Sequence, residues 1–148
     1  MALAQRIFGD LADNKILLVG AGQMAESAAQ HLLSQKVGGL CVVNRTLEKA
    51  QSLAQRFGGR AAPLERLLPE LKNADVVICS TGSPEPILRL EDVRDVMSLR
   101  RGRPLFFIDI AVPRDVDPSV HKLEDVYLYN IDDLESIVKD SAAKHKGE

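Results

Sequence analysis

The hydrophobic positions of this chain fall into short, uninterrupted runs. Ile16-Leu17-Leu18-Val19, Leu40-Cys41-Val42-Val43, Val76-Val77-Ile78-Cys79 and Leu105-Phe106-Phe107-Ile108 are too short for helices and lack the alternation of half-exposed strands. They predict strands buried on both faces. Arg60-Ala61-Ala62 and Val126-Tyr127-Leu128-Tyr129 predict two shorter strands. Between the runs, apolar residues recur at helical spacing. Met24, Ala28 and Leu32 predict a helix from about Gln23 to Gln35. Leu47, Ala50, Leu53, Ala54 and Phe57 predict an inward face for a second, capped by Thr46 and stopped by Gly58-Gly59. Pro63 opens a third, with Leu64, Leu67, Leu68 and Leu71, which Pro69 keeps short or kinked. A fourth runs from about Leu90 to Leu99, and Ile131 to Val138 predicts a last one. Residues 2–9 predict one or two helical turns, and the stretch from Ile110 to Pro118, with two prolines, predicts a loop.

Strand and helix in alternation call for a parallel sheet covered on both faces. Right-handed crossovers then leave a doubly wound α/β sheet, a Rossmann fold of strand order 3-2-1-4-5-6. Neither repeats nor low-complexity segments interrupt it. The expected organisation is a single domain over 1–148, with 1–10 as the tail of an upstream linker helix and 140–148 as a frayed end.

The turn after the first strand is Gly20-Ala21-Gly22-Gln23-Met24-Ala25, a G-x-G-x-x-A pattern between a strand and a helix. In that context it predicts a dinucleotide site. Gly20 makes the tight turn, Gly22 lets the backbone approach a pyrophosphate, and Ala25 lets the helix pack on the sheet. The pyrophosphate would rest on the free N–H groups of the helix start. The second strand ends in Asn44-Arg45-Thr46, where an NAD site would carry an acid. A guanidinium fork suits a 2′-phosphate, so Arg45 points to NADP(H), with Thr46 adding a hydroxyl and Asn44 bonding the ribose. Ser80-Thr81-Gly82 leaves the fourth strand at the switch point and is expected beneath the cofactor. Asp109 to Arg114 leaves the fifth at the same edge; Asp109 is expected at the cofactor or bonded to loop backbone, and Arg114 near an anionic substrate or another domain.

Composition narrows little beyond this. At 148 residues, 45% hydrophobic, with net charge −2, the chain is an ordinary globular domain and no polyanion-binding protein. Cys41 and Cys79 fit neither a metal motif nor a disulfide scaffold and are expected as reduced core residues. His31, His121 and His145 form no catalytic constellation with a Ser or Cys nucleophile. With no membrane-length apolar run and no signal pattern, cytoplasm is the expected compartment. The sequence presents a cofactor site without catalytic residues of its own.

Four stretches carry a resemblance: Val19 to Ala25, Val43 to Ala50, Cys79 to Pro84, and above all Phe107-Ile108-Asp109-Ile110-Ala111-Val112-Pro113-Arg114-Asp115-Val116-Asp117-Pro118. The close, Val126 to Leu134, fits too. With these the segment from about Leu3 to Val138 resembles the NADPH-binding domain of the glutamyl-tRNA reductase family. The resemblance implies NADPH as cofactor and reduction of glutamyl-tRNA to glutamate-1-semialdehyde in tetrapyrrole biosynthesis. It further implies a cysteine nucleophile on an N-terminal domain, a homodimer made by a C-terminal one, and an isolated domain inactive on that substrate. Cys41 and Cys79 do not inherit the nucleophile's role, and Ala25 stands where many members have glycine. Two other readings are a fragment of another NADP dehydrogenase, such as shikimate dehydrogenase, and a nucleotide-sensing module without redox function.

Overall fold

A computed structural model describes residues 15–20, 22, 23, 26, 27, 30, 39–81, 83–111 and 115–129. The strands are β1 (Lys15–Val19), β2 (Gly39–Asn44), β3 (Arg60–Pro63), β4 (Val76–Cys79), β5 (Leu105–Asp109) and β6 (Val126–Tyr129). They pair in parallel in the order β3-β2-β1-β4-β5-β6, the predicted doubly wound topology. β1 lies at the centre, in register with β2 (Leu17 beside Cys41) and with β4 (Leu17 beside Val77). The expected helices at 2–9 and 131–138 lie outside the described residues.

Uninterrupted apolar strands follow from burial on both sides. Ile16, Leu18, Val42, Ile78 and Ile108 face one layer, which includes Ala50, Leu53 and Ala54 of α1 (Leu47–Phe57). Leu17, Val19, Val43, Val77 and Phe107 face the other. That layer holds Leu67 and Leu71 of α2 (Leu67–Asn73) with Val93 and Val96 of α3 (Leu90–Arg100). Successive side chains of a strand point to opposite faces, so each strand feeds both cores. Gln23, Glu26, Ser27 and Gln30 are helical, and the Glu26 carboxylate is ion-paired with Arg56 of α1.

The structure refines the local expectations. Thr46 is the N-cap residue of α1 but makes no side-chain capping bond. Leu47, the first residue of α1, is 40% exposed and does not join the inward face expected of it. Pro63 closes β3 and is also the N-cap of a 3-10 turn, Leu64–Arg66, that runs directly into α2. α2 is short, seven residues, as Pro69 predicts; Pro69 lies in its first turn, whose N–H groups have no intrahelical partner to lose. Between β5 and β6, Pro118–Lys122 forms a further 3-10 turn in place of plain loop.

Candidate functional site

Parallel strands send their carboxyl ends to one edge, and there the β1 and β4 loops part in opposite directions. The Gly20 N–H donates to the Val43 carbonyl (2.8 Å), and the Ser80 N–H to the Val19 carbonyl (2.9 Å), which pins both loops to their neighbouring strands. Gly20 has φ +98°, a conformation open to glycine and poorly to other residues. The Gly22 carbonyl accepts the Glu26 N–H at 3.0 Å, so a helical turn starts at once. A cleft of about 310 Å³ lies over this edge and brings together Gly20, Gly22, Asn44, Arg45, Ser80 and Thr81, with Lys49 one turn into α1.

These are residues the sequence singled out, gathered from three separate loops. Gln23 is an exposed helical residue beside them, and Thr46 is exposed at the α1 cap. Ala21, Met24, Gly82 and Arg114 lie outside the described residues. The Asn44 amide donates to the Thr46 carbonyl (3.4 Å). Arg45 reaches across the cleft mouth, its Nη2 donating to Ser83 Oγ at 3.3 Å.

The geometry refines two expectations. A Cβ on Gly22 would point at Ser80, 3.1 Å from Oγ and 3.5 Å from Cβ. Gly22 therefore makes room for the β4 loop, in addition to the ligand approach expected of it. Ser80 Oγ is buried and has no hydrogen-bond partner among the described residues, a polar atom left over beneath the glycine turn. Asp109 is the second case, and it takes the loop-backbone role, one of the two expected of it. It is 2% exposed, and its carboxylate accepts the backbone N–H groups of Ala111 (3.2 Å), Asp115 (3.3 Å) and Val116 (2.9 Å). It shapes the β5 loop. Burial pushes its carboxyl above the usual range; the three amides oppose this, and the neighbouring Asp115 charge adds to it.

Sequence reasoning missed Asp115 and Ser83. Asp115 is fully buried and accepts the Thr81 N–H (2.6 Å) and the Thr81 hydroxyl proton. The signal lay in the Asp109-to-Pro118 run: a second acid in a loop leaving a buried strand needs donors, but the sequence does not say which.

Neither cysteine is placed as a nucleophile. Burial, then the Asp109 and Asp115 charges, push the Cys79 thiol well above its ordinary value. Burial and the Glu70 carboxylate raise Cys41 to about 11 against the pull of Arg60. Cys41, Arg60 and Glu70 line a cavity of about 340 Å³ at the opposite, amino-terminal edge of the strands. There Arg60 and Glu70 are bonded to each other through both guanidinium nitrogens. Among the described residues no cluster could hold a metal ion, and no helix is long and apolar enough to cross a membrane.

A family model described as shikimate / quinate 5-dehydrogenase matches residues 2–137. The glutamyl-tRNA reductase of Syntrophobacter fumaroxidans is 53% identical over 99% of this chain, which covers 32% of that protein. Among solved structures, glutamyl-tRNA reductase from Methanopyrus kandleri matches with TM-score 0.87 and 39% identity, covering 99% of this chain and 37% of that one. The nucleotide-binding domain of the enzyme from Thermoplasma volcanium matches with TM-score 0.64 over 99% of this chain and 96% of that chain. At 20% identity it shows the shared fold alone. The chain thus spans about a third of the length of the full-length relatives it matches.

Proposed function

This chain belongs to the shikimate / quinate 5-dehydrogenase family and corresponds to the nucleotide-binding domain of glutamyl-tRNA reductases, and on that premise we propose that it binds NADP(H) for reduction of a glutamyl thioester to glutamate-1-semialdehyde. One observation carries the choice of cofactor: among the described residues lining the cleft, Arg45 stands at the end of β2 and none is a carboxylate. The described residues fit such a ligand. The glycine turn holds φ +98° and leads straight into a helix, whose free N–H groups favour an anion. Ser80 supplies a hydroxyl with unused bonding capacity beside them.

When bound, NADPH supplies the hydride; the rest is positioning and charge. Arg45 offers paired N–H donors to a 2′-phosphate, and Lys49 adds a positive field from the next turn. Asn44, at the strand end, is within the same cleft for the ribose. The thioester forms on a cysteine outside this chain, because Cys41 and Cys79 are buried with thiols held protonated. In this reading the remaining two thirds of the relatives' length hold glutamyl-tRNA and make the homodimer, in the cytoplasm. The shikimate dehydrogenase alternative shares the family model, but the 53% identity lies with a glutamyl-tRNA reductase.

Calorimetric titration with NADPH and NADH tests the reading. The wild-type chain should favour NADPH. Arg45→Ala should weaken NADPH about tenfold, the scale of a lost hydrogen bond to a charged group, and leave NADH nearly unchanged. Equal or tighter retention of NADH by the wild type would overturn it.

A further inference from the structure

A continuous hydrogen-bonded chain joins the β5 edge of the sheet to Arg45. Asp109 accepts the Asp115 N–H at 3.3 Å. The Asp115 carboxylate accepts from Thr81 twice, from its N–H at 2.6 Å and from its hydroxyl. Thr81 Oγ1 in turn accepts the Ser83 N–H at 3.2 Å, and Ser83 Oγ accepts from Arg45 Nη2 at 3.3 Å. Asp115 itself is fully buried, so it lies behind the cleft and not in it.

We propose that Asp115 is a positioning residue for cofactor discrimination: by fixing the Thr81–Ser83 turn it sets where the Arg45 guanidinium stands, and so favours a phosphorylated dinucleotide it never touches. The proposal rests on the NADP(H) reading above. Its chemistry lies in the direction of the bonds. An ionised carboxyl only accepts, so it takes both Thr81 donors at once. With its proton committed to Asp115, the Thr81 hydroxyl has a lone pair for the Ser83 N–H. An amide at position 115 keeps one acceptor and adds two donors, so one Thr81 donor is orphaned and the hydroxyl must turn. Ser83 then loses its anchor, and Arg45 must be ordered when the ligand arrives, which lowers affinity.

The loop does not depend on that carboxylate for its existence. The Asp115 carbonyl accepts from Ile87 (2.8 Å) and Leu88 (3.0 Å), and the Asp117 N–H donates to Leu88 (2.9 Å), in a parallel bridge of Leu88 with Val116. These main-chain bonds survive Asp115→Asn.

The test uses the 148-residue chain, with Asp115→Asn, Ser83→Ala and the double variant titrated against NADPH and NADH. Asp115→Asn should weaken NADPH about tenfold, the scale of a lost hydrogen bond to a charged group, and NADH less than about threefold. The double variant should lose little beyond Asp115→Asn, because both cut the same chain. In cofactor-free amide NMR spectra, Asp115→Asn should shift the Thr81 and Ser83 amides and the Arg45 guanidinium signals together. Equal weakening of both dinucleotides, additive losses, or unmoved Arg45 signals would overturn the proposal and leave the cofactor reading standing. A wild-type chain that binds neither dinucleotide would overturn both. If Asp115→Asn fails to fold, Thr81→Val should reproduce the selective loss and Thr81→Ser should not; any other pattern refutes the proposal.

Discussion

Gly20 and Gly22 look alike in the sequence, yet the structure predicts that alanine at the two positions fails for different reasons. At Gly20 a Cβ would lie 3.0 Å from Ser80 C and 3.0 Å from Thr81 N, both main-chain atoms, on a residue with φ +98°. The left-handed conformation costs an L-residue ~1–2 kcal/mol, and crowding against a fixed strand end adds at least ~1 kcal/mol. Gly20→Ala should therefore cost about 3 kcal/mol, or on the order of 6–12 °C in Tm for a chain of this size. At Gly22 the close neighbour is Ser80 Oγ at 3.1 Å, and the next, Ser80 Cβ, is at an ordinary 3.5 Å. Gly22→Ala should cost about 1 kcal/mol. That hydroxyl is buried without a partner among the described residues, so Ser80→Ala alone should be neutral or stabilising by up to ~1 kcal/mol. The cycle then has a distinctive outcome, measurable by urea unfolding followed by circular dichroism. Ser80→Ala should restore Gly22→Ala to wild-type stability and leave most of the Gly20→Ala loss in place. Rescue of Gly20→Ala to the same extent, or none of Gly22→Ala, would refute the assignment of one clash to backbone and the other to a side chain.

Two further predictions concern the amino-terminal edge of the strands. The Arg100 side chain is fully buried and donates to the carbonyls of Leu71 (3.1 Å), Lys72 (3.0 Å), Ala74, Arg103 (3.3 Å) and Pro104 (2.6 Å). Arg100→Met fills similar space but orphans those acceptors, so the urea midpoint should fall by the equivalent of about 3 kcal/mol with an unchanged m-value. The Arg60 hydrogen bonds hold the Glu70 carboxyl below its usual 4.5, with burial opposing. A carboxyl depressed in the folded state stabilises fully above its unfolded value, and that contribution is lost as pH falls through the folded one. The Tm of the wild type should thus drop more steeply than that of Arg60→Ala below about pH 5; parallel curves would show that the pair contributes nothing.

The sheet was legible because its signal is strong and local. Four continuous apolar runs could only be doubly buried strands, and the glycine turn after the first located the switch point. The residues lining the cleft followed, since Gly20, Arg45 and Ser80 each stand at the end of a recognisable strand. What the sequence concealed depends on contacts between distant loops. Arg100 at the end of α3 reads as a cation suited to a helix terminus, yet it is engulfed and bonded to carbonyls of another helix. Asp115 reads as one acid among several in a proline-containing loop, and only the folded chain sets it against Thr81. Gly22 was read toward a ligand because the motif is written that way; the direction of its absent Cβ, toward Ser80, exists only once β4 is alongside. Leu47 misled because helical periodicity does not reveal where a helix begins.

The Arg100 knot ties the ends of α2 and α3 to the segments that enter β4 and β5, and Asp75 extends it, accepting from Arg103 (2.9 Å) and from the Lys15 N–H (2.9 Å). Every residue in it stands at the end of the strands away from the glycine turn. A large share of the domain's thermal robustness is thereby held at the pole of the sheet opposite the one that chooses the coenzyme. An engineer could harden the domain at the first pole, or retune selectivity at the second, and neither alteration would have to be undone by the other.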